Sequence, residues 1–136
     1  MPGLRLSWLP QELAICQLAS DAPIPEWAKS SAFSSITRTP AELSIVCERA
    51  AVPANALPET SRDTLSCDQP WKALRIEGPL DLNLIGIALQ VLEPLAAAGI
   101  SVFVISTFDT DYILVRGENV AKTTEALTAS GHAFGE

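Results

Sequence analysis

Two rhythms of apolar residues run through the C-terminal half of the chain. Trp71 to Ile76 (WKALRI) alternates, which predicts a strand. Gly78-Pro79 ends it. Asp81 then offers a carboxylate to the first free amides of a helix. From Leu82 to Ala98 the apolar residues Leu84, Ile85, Ala88, Leu92 and Leu95 recur at helical spacing, and Gly99 is placed to close the helix. Pro94 removes one hydrogen bond inside it, so a kink or break is expected there. Ile100–Thr107 and Tyr112–Val115, both rich in β-branched and aromatic residues, flank Phe108–Asp111 and predict a β-hairpin. Asn119 can cap a last helix with Val120, Thr124 and Leu127 on one face and Gly131 after it.

The N-terminal half repeats this order more faintly. Leu4–Leu9 and Leu13–Leu18 read as strands, and Asp21–Ser30 as a loop holding one short helix that Pro25 can start. Phe33–Thr37 and Leu43–Cys47 read as strands joined by Arg38–Glu42. Val52–Pro70, with Pro53, Pro58 and Pro70, reads as a linker. Ile36–Val46 matches Ile105–Val115 without a gap, through a polar pair after Ile and an acid before an apolar return strand. The match points to an internal duplication.

Composition narrows the function classes. Hydrophobic residues make up 48% of the 136-residue chain and charged residues 18%, which excludes a disordered chain. Nine Lys and Arg against sixteen Asp and Glu give a net charge of −7. That balance disfavours nucleic acid and anionic membranes, whose phosphates need clustered cations. Trp8, Trp27 and Trp71 show no stacking-platform spacing with basic residues. The longest apolar stretch, Leu82–Ile100, is interrupted by Asn83, Gln90, Glu93 and Pro94, and reads as a core helix rather than a membrane span. Met1–Pro10 has the wrong make-up for a signal peptide. Cys16, Cys47 and Cys67 form no C-x-x-C pair and read as free thiols of a reducing compartment, so the expected setting is the cytoplasm.

Candidates for catalysis are few. His132 stands alone near the C-terminus and reads as a helix-end or surface residue. Cys47 has Glu48 and Arg49 beside it but no histidine to activate it. Arg38 reads as a solvated turn residue, with anion binding as the other possibility. No Walker, G-x-S-x-G, G-x-G-x-x-G or H-E-x-x-H motif is present. Neither an enzyme activity nor a cofactor or metal site is expected.

The block Ile100–Val115 (ISVFVISTFDTDYILV) resembles the hairpin of tandem ACT-domain proteins, related to CASTOR-type arginine sensors and to aspartate kinase regulatory domains. Glu77-Gly78-Pro79 before a helix, Pro94-Leu95 within it, and Ser35–Cys47 in the first half extend the resemblance over nearly the whole chain. It implies an α+β fold of two ferredoxin-like (βαββαβ) ACT units in tandem, with antiparallel sheets and helices on one face. The boundaries it suggests are 1–56 for an N-terminal unit, 57–70 for a linker and 71–136 for a C-terminal unit. It further implies a non-catalytic regulatory or sensing protein, binding a small ligand, typically an amino acid, at an interface between ACT units. A homodimer would supply the units that a two-unit chain lacks. Carried over by motif, the ligand-binding residues are Ile105, Ser106, Thr107, Phe108 and Asp111, with Gly78 and Asp81.

These residues also fit ligand chemistry on their own terms. A free amino acid needs acceptors for its ammonium and donors for its carboxylate, and the hydroxyls of Ser106 and Thr107 supply both. Gly78 permits close approach to the backbone, and the amides opening the helix favour an anion. Asp81 competes for those amides; turned toward a pocket, it would favour a cation. The structural alternatives stay open. Gly78-Pro79 also makes a plain strand-to-helix turn, and Asp109 and Asp111 also shape a turn. Ser106 and Thr107 also serve as strand residues leaving the core. Phe108 at a loop tip marks a contact or packs onto the neighbouring half. Val102–Ile105 is apolar on both faces and calls for cover on each, from the other half or a second subunit. A protein-interaction module that uses the ACT fold without a ligand is the alternative reading.

Overall fold

Strand β1 runs unbroken from Arg5 to Leu18, where the sequence suggested two strands around Pro10. Proline is tolerated because it sits where the ladder changes partners: β1 pairs with the last strand, β8, at Arg5 and Leu6, and with β3 only from Leu13 onward. The computed structural model describes residues 3–53, 65–67, 69–77 and 86–135. The expected turn at Gly78-Pro79, the cap at Asp81 and the first turns of the helix at 82–85 lie outside the described residues, as does most of the linker.

The remaining elements are α1 (Glu26–Lys29), β2 (Ser34–Arg38), β3 (Leu43–Glu48), β4 (Leu65–Cys67), β5 (Trp71–Ile76), α2 (Ile87–Ala97), β6 (Phe103–Ser106), β7 (Asp111–Arg116), α3 (Val120–Ala129) and β8 (Ala133–Phe134). Short 3-10 turns, Arg49–Ala51 and Gly117–Asn119, follow β3 and β7. The fold is α+β, with antiparallel strand pairs and helices; the pair between β1 and β8 is parallel. The chain divides into two compact units, Gln11–Trp71 and Met1–Pro10 with Lys72–Glu136. The first ten residues therefore belong with the C-terminal half, although the sequence placed them at the head of the N-terminal unit.

In the C-terminal unit β1 lies between β8 and β5, and β7 and β6 follow beyond β5. Leu6, Leu74, Ile76, Ile113 and Val115 from the strands meet Val91 and Leu95 of α2 and Leu127 of α3 in one core. Trp8 stacks on Phe134 with ring centroids 6.3 Å apart, and its indole N–H donates to Thr124 Oγ1 at 3.1 Å. Gly86 opens α2, and Gly99 and Gly131 close α2 and α3 at φ of +76° and +95°, values that glycine reaches without a Cβ clash.

Pro94 does not break α2. It removes the amide that would have bonded the Gln90 carbonyl, and His132 Nε2 donates to that carbonyl instead, at 3.0 Å. His132 Nδ1 accepts from the Leu4 amide at 3.0 Å. The ring is only 7% exposed. Both backbone partners are far away in sequence, and for that reason His132 read as a surface residue.

The N-terminal unit has the strand order β2-β3-β1, with β4 on β1 as well. Its core is built from smaller side chains: Ala14, Cys16, Ala28, Leu43, Ile45, Cys47, Val52 and Cys67. The only α-helix here among the described residues is α1, four residues long. Cys16 faces Cys67 across the β1–β4 pair, and the two form a disulfide. This corrects the expectation of three free thiols; only Cys47 is free. Part of the expected linker is therefore strand.

Both hairpins are closed by four-residue turns, Thr39–Glu42 and Thr107–Thr110, each with a Thr amide donating at 2.8 Å to the carbonyl of the turn's last residue. The closing pairs are Arg38 with Leu43 and Ser106 with Asp111. Thr39 thus corresponds to Thr107, one residue away from the gapless match, which set Thr39 against Phe108. A one-residue slip exchanges the faces of a strand. In the structural register Ile45 and Cys47 face their core as Ile113 and Val115 face theirs.

Candidate functional site

The hairpin between β6 and β7 brings Ser106, Thr107, Phe108 and Asp111 to one tip. Ser106 and Asp111 are the last paired residues of the ladder, so their side chains share a face. The Ser106 hydroxyl donates to Asp111 Oδ1 at 2.7 Å. Thr107 uses its hydroxyl twice, donating to the Thr110 carbonyl at 3.2 Å and accepting from the Thr110 amide at 3.3 Å. Those bonds hold the turn without using the Ser106–Asp111 pair. Phe108 is 80% exposed at the apex. Ile105, half-buried, lies opposite Tyr112 one step down the ladder. Gly78 and Asp81 lie outside the described residues, so only five of the seven expected ligand residues are placed.

Sequence reasoning missed Thr110. It is buried, and its hydroxyl donates to the Ile76 carbonyl at the end of β5. Thr110 fixes the hairpin tip against the strand end that leads to Glu77-Gly78. The available signal was a β-branched hydroxyl residue among three polar neighbours at a turn, a pattern that turn chemistry alone also produces.

The equivalent tip of the N-terminal unit carries different chemistry. Thr39 Oγ1 accepts from the amides of Ala41 and Glu42 at 3.1 and 3.2 Å. Arg38 replaces the serine and Leu43 the aspartate. The Arg38 guanidinium donates to the carbonyls of Ser20 and, at 2.8 Å, Ala22. It anchors a loop, where the sequence suggested a solvated turn residue. The exposed hydroxyl–carboxylate pair is confined to the C-terminal tip. An amino-acid ammonium or a guanidinium could bind that carboxylate by a charge-assisted bond.

A separate cleft of about 380 Å³ in the C-terminal unit is lined by Gly3, Gln90, Glu93, Pro94, Ala97, Ser130 and His132. Both His132 nitrogens are engaged, and the Ser130 hydroxyl donates to the Ala126 carbonyl at 3.0 Å. Ile105, Ser106, Thr107, Phe108 and Asp111 do not line it. Burial, reinforced by the charge of Glu48, pushes the Cys47 thiol up to about 11, which removes it as a thiolate nucleophile at neutral pH. No group of three or more His, Cys, Asp or Glu is arranged to hold a metal among the described residues. No helix among them is long and apolar enough to cross a membrane.

A family model for the ACT domain matches residues 66–129, and a model of an N-terminal domain matches residues 11–55. The human protein named cytosolic arginine sensor for mTORC1 subunit 1 is 36% identical over 112 residues, which is 82% of this chain and 32% of that protein. The chain thus spans about a third of the length of the curated relatives it matches. A crystal structure of a protein from Agrobacterium tumefaciens superposes with a TM-score of 0.84 at 37% identity, covering 98% of this chain and 93% of that one. The regulatory subunit of aspartate kinase from Thermus flavus shares the fold at 10% identity, with a TM-score of 0.61 over 94% of this chain and 96% of its own.

Proposed function

The chain belongs to the ACT-domain family, and from that premise we propose that it is a non-catalytic regulatory protein that binds a small ligand, an amino acid, at the C-terminal hairpin tip. The observation that carries this reading is the exposed Ser106–Asp111 pair beneath Phe108, on a turn that Thr107 and Thr110 hold independently. The carboxylate takes the ligand's cationic group, and Ser106 and Thr107 supply hydroxyls. Gly78 and Asp81 complete the set on the family pattern. The identity with a protein named an arginine sensor supports arginine as the first ligand to try.

Two ACT-like units in tandem and a homodimer complete the proposal. A second copy brings another ACT unit against the tip, and the ligand shifts the population toward one pairing of copies, which a partner reads. The setting is the cytoplasm.

Thermal denaturation against the common amino acids tests this. A ligand confined to the folded state adds about 2.7 kcal/mol at a hundred times its dissociation constant. Asp111→Ala is expected to weaken binding by at least about tenfold, the scale of one charge-assisted bond, with the melting curve otherwise kept. Unchanged affinity in the folded variant sinks the site assignment. A flat panel with wild-type protein favours the ligand-free interaction module, for which the exposure of Phe108 is the specific support.

A further inference from the structure

We propose that Cys16 and Cys67 form a reversible redox-modification site, a thiol–disulfide latch that holds β4 on β1. The two residues are direct cross-strand partners, and their sulfurs are bonded. Strand β4 is three residues long, and only Leu65, Ser66 and Cys67 pair with β1. A ladder that short contributes little cooperativity of its own. Among the described residues the N-terminal unit adds no long helix to clamp it, and its core is made largely of small side chains. The covalent bond is therefore the main tie that keeps β4 in place.

The bond is buried, and local opening of β4 is what makes it reachable. Cys16 lies on β1, with β3 and β4 both paired to it, and is 1% exposed; Cys67 lies on β4, which pairs with β1 among the described residues, and is 4% exposed. Local opening of so short a strand uncovers the Cys67 sulfur first. A low-molecular-weight thiolate, such as that of glutathione, attacks Cys67 Sγ and releases the Cys16 thiolate, which takes a proton. A second thiol resolves the mixed disulfide, so one protein disulfide and two small thiols become two protein thiols and one small disulfide. Oxidation by the small disulfide runs the same two exchanges backward.

Cys47 shares the cluster but pairs with Ala14, one step along the same face from Cys16. Its burial keeps it protonated, so it does not compete for the bond. In a reducing compartment disulfides are mostly transient and sensing, and an edge-strand latch with a silenced bystander thiol fits that use. The proposal does not depend on the ligand reading.

The test equilibrates the full chain across stepped ratios of reduced to oxidised glutathione, then counts thiols by maleimide labelling in denaturant. The expected result is three thiols at the reducing end, one at the oxidising end, and one transition between them. Peptide mapping of the oxidised protein should join Cys16 to Cys67. Reduction should speed amide hydrogen exchange at 16–18 and 65–67 and leave β6 and β7 unchanged. Cys47→Ser should keep the transition and Cys67→Ser abolish it; if the latter fails to fold, the wild-type mapping and exchange decide. Three thiols at every ratio, one thiol at every ratio, a bond to Cys47, or exchange in β4 that reduction does not alter would each overturn the proposal.

Discussion

In the C-terminal unit α2 and α3 bring Val91, Leu95 and Leu127 onto Leu74, Ile76, Ile113 and Val115. Among the described residues the helical contribution to the N-terminal core is Ala28, with Trp27 packed against it, both from a four-residue helix, and the strands there are tied by Cys16–Cys67. Both units end their hairpins on the same threonine-bonded turn. The difference shows how one backbone pattern is sustained by two means. Apolar area buried under helices stabilises one unit, and a covalent tie with a backbone-anchored arginine stabilises the other. The helix-covered unit carries an exposed Phe108 at its tip. The leaner unit uses the corresponding arginine to hold a loop.

The largest test of that contrast cuts residues 71–136 away from everything before them, Met1–Pro10 included. Leu6 is fully buried in the C-terminal core, and the first half of β1 pairs with β8. A fragment of residues 71–136 keeps α2, α3 and every residue of the tip, yet is expected to lose cooperative thermal unfolding by circular dichroism. If that fragment melts as sharply as the whole chain, helix burial alone suffices and the contrast must be redrawn around the helices.

A smaller effect is expected at His132. His132→Ala leaves the Gln90 carbonyl and the Leu4 amide without their partner, at a cost of about 2 kcal/mol in chemical denaturation. Pro94→Ala restores an amide for the same carbonyl, so the cost of His132→Ala should shrink in that background. Additive costs in the double-mutant cycle would show that Pro94 and His132 do not share the carbonyl.

Cys47 sharpens the comparison from the other unit. Its thiol titrates near 11 in the folded protein and near 9 when unfolded. As pH rises past 9 the unfolded chain releases this proton first, so folding stability falls between about pH 9 and 11 and is complete below that window. The fall should be smaller in Cys47→Ala, measured as the difference from wild type across the same pH range. An identical pH profile for both proteins would mean that the N-terminal core is loose enough to solvate the thiol.

The hairpins, the short α1 and the closing glycines were legible because alternation, helical spacing and turn residues are local signals. The likeness of the two hairpins was legible in outline but misregistered by one residue. Chemical similarity put Asp111 against Glu42, whereas the ladder puts it against Leu43. Nothing local reveals that β1 continues through Pro10, since what permits it is the change of ladder partner. The roles of His132, Thr110 and Arg38 rest on backbone carbonyls or amides distant in sequence, and a carbonyl carries no signature in a sequence. The Cys16–Cys67 bond joins residues 51 apart with no motif spacing. At the candidate site five of the seven expected residues lie on the β6–β7 hairpin, while Thr110, which ties that tip to Ile76, was not singled out.

The smallest effect on stability is expected at the most exposed aromatic. Phe108 occupies the turn position that Pro40 holds in the N-terminal unit, and at 80% exposure it contributes little to folding. Phe108→Ala should change stability by no more than about 0.5 kcal/mol. Proline at that place in the other turn shows that the backbone does not need an aromatic there, so Phe108 is free to serve a contact. Its removal should therefore lower ligand affinity, or self-association measured by sedimentation, without moving the melting temperature. A loss of stability above that limit would mean that the ring packs within the unit, and the tip would then differ from its counterpart by structure rather than by use.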